Sequence, residues 1–570
     1  MANKVPKSWP PEAVALVLIL IAGFLLRLLL ARFESEVGVD SVHYILTGDN
    51  IAKGVSFDTW NTTGGRWVLP PMFPLLIALF RLMGAPLEWS GHLASVFSGT
   101  FLLFAIYLVT KRLFGRQTAT IALIISTFYP ILVDYSVVIL TENLFAAFVL
   151  MMMLYVLRAF EIKGKPNDAF WSGLFLVLAF LTKTFGIFLL PFLFLSYIFG
   201  KGGRSSSKPV TQAILSLVGF LILAAPYWVL LHNYTGEWVI DGKGQGQASR
   251  IYASDLSEER VDPRYNGELT QDGSDFLINV NPDVESAPAI PFSKLASTYI
   301  RKYIQKLVRI YQDFPFTPTY PNNVQILYLF PAMLLGLGLF SGKGKWQERH
   351  SDRFLLYWLP PFIFGIPLVF VEVRYYIAVV PLLIPFMARG IEDVAGWLIE
   401  RFSGGKARLL TPPKIDPAIA IVVVVFILLT LPKLTYKLTH QSDPMVSYNP
   451  REAAAAWLIE NGYHPDRIME YAHSVSFYSG AQSILIPSGD LGDVIRIARK
   501  YNCELLSLDE FYVLRAHRRP EIEFLFDLNQ PAPRDLELIY SDLKYDGLHH
   551  VIYRIRMPEE IENLAPSETW

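Results

Sequence analysis

Four ionisable residues lie at the ends of long apolar runs, where a charge is costly unless it is paired or in contact with water. They are Asp40, Glu142, Lys183 and Arg374. Two carboxylates and two cations that converge suit a reaction in which a base takes a proton from a nucleophile while a phosphate leaves. These residues come from distant parts of the chain, so the fold must bring them together.

Each of these residues also has a purely structural interpretation. Asp40 precedes a predicted helix and fits an N-cap. Glu142 at the start of a span would favour the helix dipole, and the Lys183 side chain would reach the membrane interface. Arg374 would pair with Glu372 at a turn.

The composition indicates a polytopic membrane protein. Of 570 residues, 52% are hydrophobic, 14% aromatic and only 18% charged, which is unlike an ordinary soluble domain. The net charge of −1 gives no reason to expect a nucleic-acid partner. The chain has one cysteine, Cys503, and no His and Cys at zinc spacing, so neither an internal disulfide nor structural zinc is expected.

Apolar runs long enough to span a bilayer number about eleven. They lie near residues 12–32, 91–110, 117–133, 141–158, 169–184, 185–199, 210–231, 324–341, 354–371, 375–391 and 416–434. The apolar segment from Pro70 to Leu82 is too short to span and predicts an interfacial helix.

The short polar loops alternate in their content of Lys and Arg, which predicts the orientation of the spans. Basic loops lie near residues 111–116, 163–165, 201–208, 343–353 and 401–408. With these loops in the cytoplasm, the loops at about 33–91 and 232–323 and the C-terminal tail lie outside. We therefore expect Asp40 and Glu142 to face one non-cytoplasmic cavity.

Two further segments have patterns of their own. From about Ser293 to Tyr311, apolar residues recur every three or four positions among Lys and Arg, which predicts a helix on a membrane surface. After Leu434 the hydropathy falls, and helices are expected near 450–461 and 491–501, with strands near 483–486 and 504–508.

The predicted fold class is therefore an α-helical polytopic membrane protein with a small C-terminal α/β domain. Residues 1–434 would form the transmembrane domain and residues 435–570 a soluble extracytoplasmic domain. We expect a multi-pass protein of the plasma membrane, in contact with membrane lipid.

The chain resembles the GT-C superfamily. Within it, the chain is most similar to the branch that contains the protein O-mannosyltransferases and the bacterial lipid A aminoarabinose transferase. The resemblance covers roughly residues 12–392. It rests on the order of short motifs: Asp40 with Tyr44, Pro70-Pro71-Met72-Phe73-Pro74-Leu75, Leu140-Thr141-Glu142, Leu181-Thr182-Lys183, and Arg374-Tyr375-Tyr376 followed by Pro381.

The resemblance implies an activity. Members of the superfamily take a sugar from a polyprenyl-phosphate carrier on the extracytoplasmic face and transfer it to a protein or lipid acceptor. It implies catalytic roles for Asp40 and Glu142. The residues that it implies at the donor phosphate are Lys183, Arg374, Tyr375 and Tyr376.

The chain differs from the motifs of both branches at one position each, so the acceptor can be a protein, a lipid or a glycan. Protein O-mannosyltransferases carry Asp-Glu in the first loop, whereas here Ser41 follows Asp40. The aminoarabinose enzyme has a Lys just before its loop proline, whereas this chain has Val68 and Leu69 before Pro70.

The residues agree with this chemistry independently of the resemblance. A sugar phosphoester carries a good leaving group, so cations that stabilise the released phosphate suffice. A carboxylate such as Asp40 would activate the acceptor hydroxyl, directly or through a divalent ion such as Mg²⁺ or Mn²⁺, and direct displacement inverts the anomeric centre. Two alternatives stay open, a transporter or flippase of lipid-linked sugars and a glycan-binding protein without catalysis.

Overall fold

The computed structural model describes most of the helical chain and most of the C-terminal domain. The described residues are 11–34, 37–56, 69–161, 165–199, 209–236, 238–240, 267–269, 276–278, 300–301, 303–305, 307–308, 318–319, 324–325, 327–340, 349–369, 373–403, 417–435, 449–487, 489–516, 519–543 and 548–562. Glu372, Val68 and most of the predicted loop at 232–323 lie outside them.

The chain forms two compact units, and each is described by itself. The first unit comprises Met1–Glu34, Pro70–Leu230 and Ile300–Thr439. The second comprises Ser35–Leu69, Leu231–Tyr299 and His440–Trp570. The division predicted at residues 434 and 435 stays a prediction.

The first unit is helical in the residues that the structure describes, apart from two short strands. Its helices are α1 (Pro11–Ala31), α3 (Met72–Leu82), α4 (Leu87–Phe114), α5 (Arg116–Phe128), α6 (Pro130–Asp134), α7 (Glu142–Ala159), α8 (Pro166–Phe180), α9 (Leu190–Phe199), α10 (Pro209–Thr235), α11 (Leu329–Phe340), α12 (His350–Tyr357), α13 (Pro360–Val369), α14 (Val380–Ser403) and α15 (Pro417–Leu434). Two 3₁₀ helices (Thr184–Leu189 and Val373–Val379) and the strands β3 (Pro318–Thr319) and β4 (Val324–Gln325) complete it.

The mostly helical fold is confirmed, but the count of eleven spans is not. Among the described residues, four helices are long and apolar enough to cross a membrane: Glu12–Ala31, Leu87–Phe114, Glu142–Ala159 and Pro209–Asn233. Shorter apolar helices are Met72–Leu82, Asn167–Phe180, Thr184–Phe199, Leu329–Phe340 and Pro417–Pro432.

Proline accounts for part of this difference. The run at 117–133 is split, because α5 ends at Phe128 and α6 begins at Pro130. The run at 354–371 is divided in the same way, between α12 and α13, with Pro360 opening the second helix. A proline lacks the N–H of the helical ladder and disfavours helix at the residue before it. Apolar length alone therefore overestimates the number of continuous spans.

The predicted surface helix is described only in part. Residues 300, 301, 303–305, 307 and 308 are helical. Ile304 and Val308, one turn apart, are about half exposed at 52% and 47%. The basic residues Lys294, Lys302, Lys306 and Arg309 lie outside the described residues.

The second unit contains the helix α2 (Val39–Ala52), the paired strands β1 (Gly267–Leu269) and β2 (Phe276–Ile278), and the C-terminal α/β domain. The strands of that domain are β5 (Arg467–Met469), β6 (Gln482–Ile484), β7 (Leu505–Asp509), β8 (Leu536–Leu543) and β9 (His549–Ile555). Its helices are α16 (Pro450–Glu460), α17 (Ser474–Ser479), α18 (Leu491–Lys500) and α19 (Pro558–Glu562), with turns of π helix at Phe511–Ala516 and 3₁₀ helix at Pro520–Phe526.

One five-stranded sheet organises the C-terminal domain, in the order β6-β5-β7-β9-β8. Strand β5 runs parallel to β6 and β7, while β9 is antiparallel to β7 and β8. The sheet confirms the predicted α/β class. The predicted helix at 450–461 is α16, whose N-cap Asn449 accepts hydrogen bonds from the amides of Arg451 and Glu452.

Candidate active site

An ion pair joins two of the predicted site residues in the first unit. The Lys183 Nζ lies 2.8 Å from the Glu142 Oε1. The Glu142 side chain is only 4% exposed, against 22% for Lys183. The second oxygen of Glu142, Oε2, is buried and has no hydrogen-bond partner among the described residues. One carboxylate oxygen is therefore held by the cation while the other can accept a hydrogen bond.

The interpretation of Lys183 as a side chain that reaches the membrane interface is wrong, because its ammonium is bonded to a buried carboxylate. Glu142 is the first residue of α7, so a favourable interaction with the helix dipole is compatible with the pair. Because Glu142 is buried, removing its partner would leave an uncompensated charge.

A tight turn at the end of α8 positions Lys183. The Lys183 amide bonds the Ala179 carbonyl at 2.9 Å, and its backbone then becomes extended before the 3₁₀ helix. The amide of Met72, at the start of α3, donates to the Leu181 carbonyl at 2.9 Å. A Cβ on Gly186 would lie 2.7 Å from the Phe180 backbone nitrogen, so only glycine permits this turn.

Two cations flank the ring of Tyr375. The Lys183 Nζ lies 3.9 Å from the ring centroid, and the Arg374 guanidinium carbon lies 5.5 Å from it. Both distances are within the range of a cation–π contact. Tyr376, the next residue, is 2% exposed. The structure thus brings together Glu142, Lys183, Arg374 and Tyr375, with a net formal charge of +1.

Aromatic rings pack next to the ion pair. Phe145 lies one turn after Glu142, and Phe185 lies two residues after Lys183. Their ring centroids are 6.1 Å apart, and Phe362 of α13 completes the group at 6.4 Å and 5.7 Å. This packing fixes α7, the turn after α8 and α13 relative to one another, as edge-to-face and tilted aromatic contacts do.

Asp40 lies in the second unit, within α2. The N-cap of that helix is Gly38, so Asp40 is in the first helical turn and the N-cap interpretation is wrong. Asp40 is half-buried. The cavity expected to join Asp40 and Glu142 stays a prediction, as does the pairing of Arg374 with Glu372.

The comparisons with known proteins give a family match over part of the chain and several similar folds. Residues 68–229 match the family described as dolichyl-phosphate-mannose-protein mannosyltransferase. The fold is similar to ArnT from Cupriavidus metallidurans bound to undecaprenyl phosphate, at 12% identity and a TM-score of 0.54, covering 94% of this chain and 97% of that one. No curated protein sequence matches the chain significantly.

Two archaeal structures are also similar. One is the oligosaccharyltransferase AglB from Archaeoglobus fulgidus in complex with an inhibitory peptide and a dolichol-phosphate, at 13% identity, a TM-score of 0.50, and coverage of 94% of this chain and 74% of that one. The other is the Archaeoglobus fulgidus oligosaccharyltransferase complex with Zn and sulfate, at 12% identity, a TM-score of 0.51, and coverage of 94% and 72%.

The chain has the fold of ArnT and of the archaeal oligosaccharyltransferase. The likenesses to solved structures show the fold, and the match to the mannosyltransferase family is confined to residues 68–229. The predicted GT-C fold is confirmed, and the predicted glycosyltransferase activity agrees with the family that residues 68–229 match.

A buried polar network lies beside Glu142, and the sequence motifs did not reveal it. Asn143, the residue after Glu142, donates to the Ser136 Oγ at 2.8 Å, and the Arg27 Nε donates to the same oxygen at 3.0 Å. Arg27 is fully buried and also donates to the Gly23 carbonyl at 3.1 Å. Arg27 lies inside the apolar run 12–32, and a charge within a span is costly unless it has partners. That position could have identified Arg27 as a buried, hydrogen-bonded residue.

Gly99 makes this network possible. A Cβ on Gly99 of α4 would lie 2.0 Å from the Ser136 Oγ and 3.2 Å from the Arg27 Nε. Any larger residue would therefore push α4 away from the network. Through Asn143, the network fixes the first turn of α7 and with it the backbone of Glu142.

The described residues of this chain do not include three or more His, Cys, Asp or Glu side chains grouped as metal ligands. A divalent ion such as Mg²⁺ can be bound by one or two carboxylates together with substrate phosphate, so the ion considered with Asp40 stays a prediction.

Proposed function

We propose that this protein is a GT-C glycosyltransferase that moves a sugar from a polyprenyl-phosphate carrier to a protein, lipid or glycan acceptor on the extracytoplasmic face, with inversion at the anomeric carbon. The observation that carries the proposal is the cluster of Glu142, Lys183, Arg374 and Tyr375, which has a net positive charge. A monophosphate leaving group gains negative charge as the glycosidic bond breaks, and preorganised cations stabilise it.

The proposed reaction assigns a base to the acceptor and two cations to the leaving phosphate. Asp40 takes the proton from the acceptor hydroxyl, whose oxygen forms the new bond to the anomeric carbon. The bond from that carbon to the phosphate oxygen breaks, and the electron pair leaves with polyprenyl phosphate. Lys183 and Arg374 hold that phosphate by charge-assisted hydrogen bonds. An ammonium has three donors, so Lys183 can bind the phosphate while it stays bonded to Glu142.

Glu142 is proposed to act on the sugar as well as on Lys183. Its Oε2 is buried without a partner among the described residues, and a buried acceptor left unpaired is costly. A hydroxyl group of the donor sugar can supply the missing hydrogen bond. Tyr375 and Tyr376 are proposed to line the phosphate position.

Consumption of the donor tests the proposal against its alternatives. Purified protein in detergent is incubated with radiolabelled polyprenyl-phosphate mannose and with other polyprenyl-phosphate sugars, in the presence of a membrane extract as source of acceptor. The enzyme converts one of them and releases polyprenyl phosphate. A transporter would move the donor across vesicles without consuming it, and a glycan-binding protein would retain it intact.

The orientation of the C-terminal domain gives an independent prediction. The basic loop near 401–408 followed by one more apolar run at 416–434 predicts that this domain is extracytoplasmic. Protease added to sealed vesicles of known orientation should therefore cleave near Gln441 only from the extracytoplasmic side. Cleavage there only from the cytoplasmic side would contradict the predicted topology.

A further inference from the structure

The helix that carries Asp40 is in contact with the C-terminal domain. Both belong to the second compact unit. The side chain of His43 lies one turn after Asp40 on α2 and packs against His473, the residue before α17. Their ring centroids are 5.1 Å apart at an interplanar angle of 64°. The His43 side chain is buried, at 8% exposure.

A second contact reinforces the first. The Ser474 Oγ lies 3.5 Å from the carbonyl oxygen of Val37, the residue just before the N-cap of α2. Two consecutive residues of the C-terminal domain thus contact the start of α2. Val37 is itself 1% exposed, so this end of the helix is enclosed.

His473 adopts a backbone conformation that is costly for its residue type. Its φ is 56° and its ψ is 10°, in the left-handed region that glycine occupies readily and most other residues avoid. Its Nδ1 lies 2.6 Å from the Ser483 Oγ, which fixes the ring. Such strain persists only where the surrounding structure imposes it, and it concentrates at functional sites.

The ring is also kept neutral. Burial lowers the pKa of His473 well below the usual value, and the neighbouring His43 acts in the same direction. Two neutral imidazoles can pack edge to face, whereas two imidazolium ions at this distance would repel each other.

We infer that His473 is a positioning residue for Asp40: the C-terminal domain holds the first turn of α2 through the His43–His473 contact and so sets the place of the catalytic carboxylate. This inference rests on the proposed role of Asp40. The C-terminal domain is then part of the catalytic apparatus and not an appended module.

The variant His473→Gly separates positioning from stability. Glycine relieves the left-handed backbone, so thermal stability should stay the same or rise. The ring that contacts His43 is lost, so amide hydrogen exchange in α2 should rise about fivefold or more as the helix loosens. Turnover of the donor should fall about 10- to 100-fold with an unchanged donor KM, because Asp40 is displaced while the donor site is intact.

Asn502→Gly is the matched control. Asn502 is the other described non-glycine residue with positive φ, at 52°, and it lies at the end of α18 in the same domain. It should gain similar stability with no change in α2 exchange or in turnover. His43→Ala should reproduce the effect of His473→Gly, and the double variant should be no worse than either single one, since both remove the same contact.

The outcomes are distinct. Unchanged exchange in α2 for His473→Gly, or effects of His43→Ala and His473→Gly that multiply, would overturn the inference. If α2 loosens but Asp40→Asn turns over normally, the contact is real and the proposed role of Asp40 fails instead. If Asp40→Asn is inactive while His473→Gly keeps full turnover, only the inference fails.

Discussion

Asp40→Asn is expected to lower donor turnover by about 100-fold or more, the usual scale for loss of a general base. The amide keeps the shape of the carboxylate and much of its hydrogen bonding, so α2 should remain folded. Affinity for polyprenyl phosphate should be nearly unchanged, because Asp40 is proposed to act on the acceptor. Single-turnover rates and equilibrium binding of polyprenyl phosphate measure the two effects separately.

Asp49→Asn provides the control for this variant. Asp49 lies on the same helix and pairs with Lys53 at 2.6 Å, so its substitution also removes a carboxylate from α2. Turnover should then stay within a few fold of the unsubstituted enzyme. Near-normal turnover of Asp40→Asn would show that the carboxylate has a structural role in the first turn of α2 and is not the base.

Lys183→Met should lower both the affinity for polyprenyl phosphate and the stability of the fold. It removes a phosphate partner, so affinity for polyprenyl phosphate should fall about 10-fold or more, as expected for a charge-assisted contact. It also leaves Glu142 charged, buried and unpaired, at a cost of about 3 to 5 kcal/mol in stability. Binding of polyprenyl phosphate and thermal unfolding report on the two effects.

The double variant Lys183→Met with Glu142→Gln distinguishes these effects. The neutral amide removes the buried charge, so much of the lost stability should return, while phosphate affinity should stay low. Arg158→Met is the control, because Arg158 pairs with Asp168 at 3.1 Å and also joins α7 to α8. It should leave phosphate affinity unchanged. Recovery of phosphate affinity in the double variant would mean that Lys183 only supports the fold.

The sequence identified candidate site residues where a charged side chain stands at the end of an apolar run. A charged residue at the end of an apolar run needs a partner or water, and this rule selected Glu142, Lys183 and Arg374. In the structure Lys183 pairs with Glu142, and Lys183 and Arg374 flank the Tyr375 ring. It did not predict that Lys183 would bond Glu142, because ion pairing across 41 residues depends on the turn after α8. That turn follows from the close approach of Gly186 to Phe180, which no local pattern reveals.

Other features depend on tertiary contacts and stayed beyond prediction. In the sequence Arg27 is one charged residue in an apolar run. Its partners, Ser136 and the backbone of α5, come from elsewhere in the chain and could not be predicted from that run. The left-handed backbone of His473 is unexpected for a histidine, since local preference opposes it and the fold imposes it. Helix breaks at Pro130 and Pro360 were visible in the sequence, yet apolar length outweighed them in the count of spans.

The configuration of the transferred sugar tests the central claim most directly. A single turnover is run with a polyprenyl-phosphate sugar of defined anomeric configuration and the acceptor found in the consumption assay, and the product is analysed by nuclear magnetic resonance. Direct displacement by an acceptor activated by Asp40 predicts a product of inverted configuration and one equivalent of polyprenyl phosphate. A product of retained configuration, or a donor left intact, would contradict the proposed mechanism.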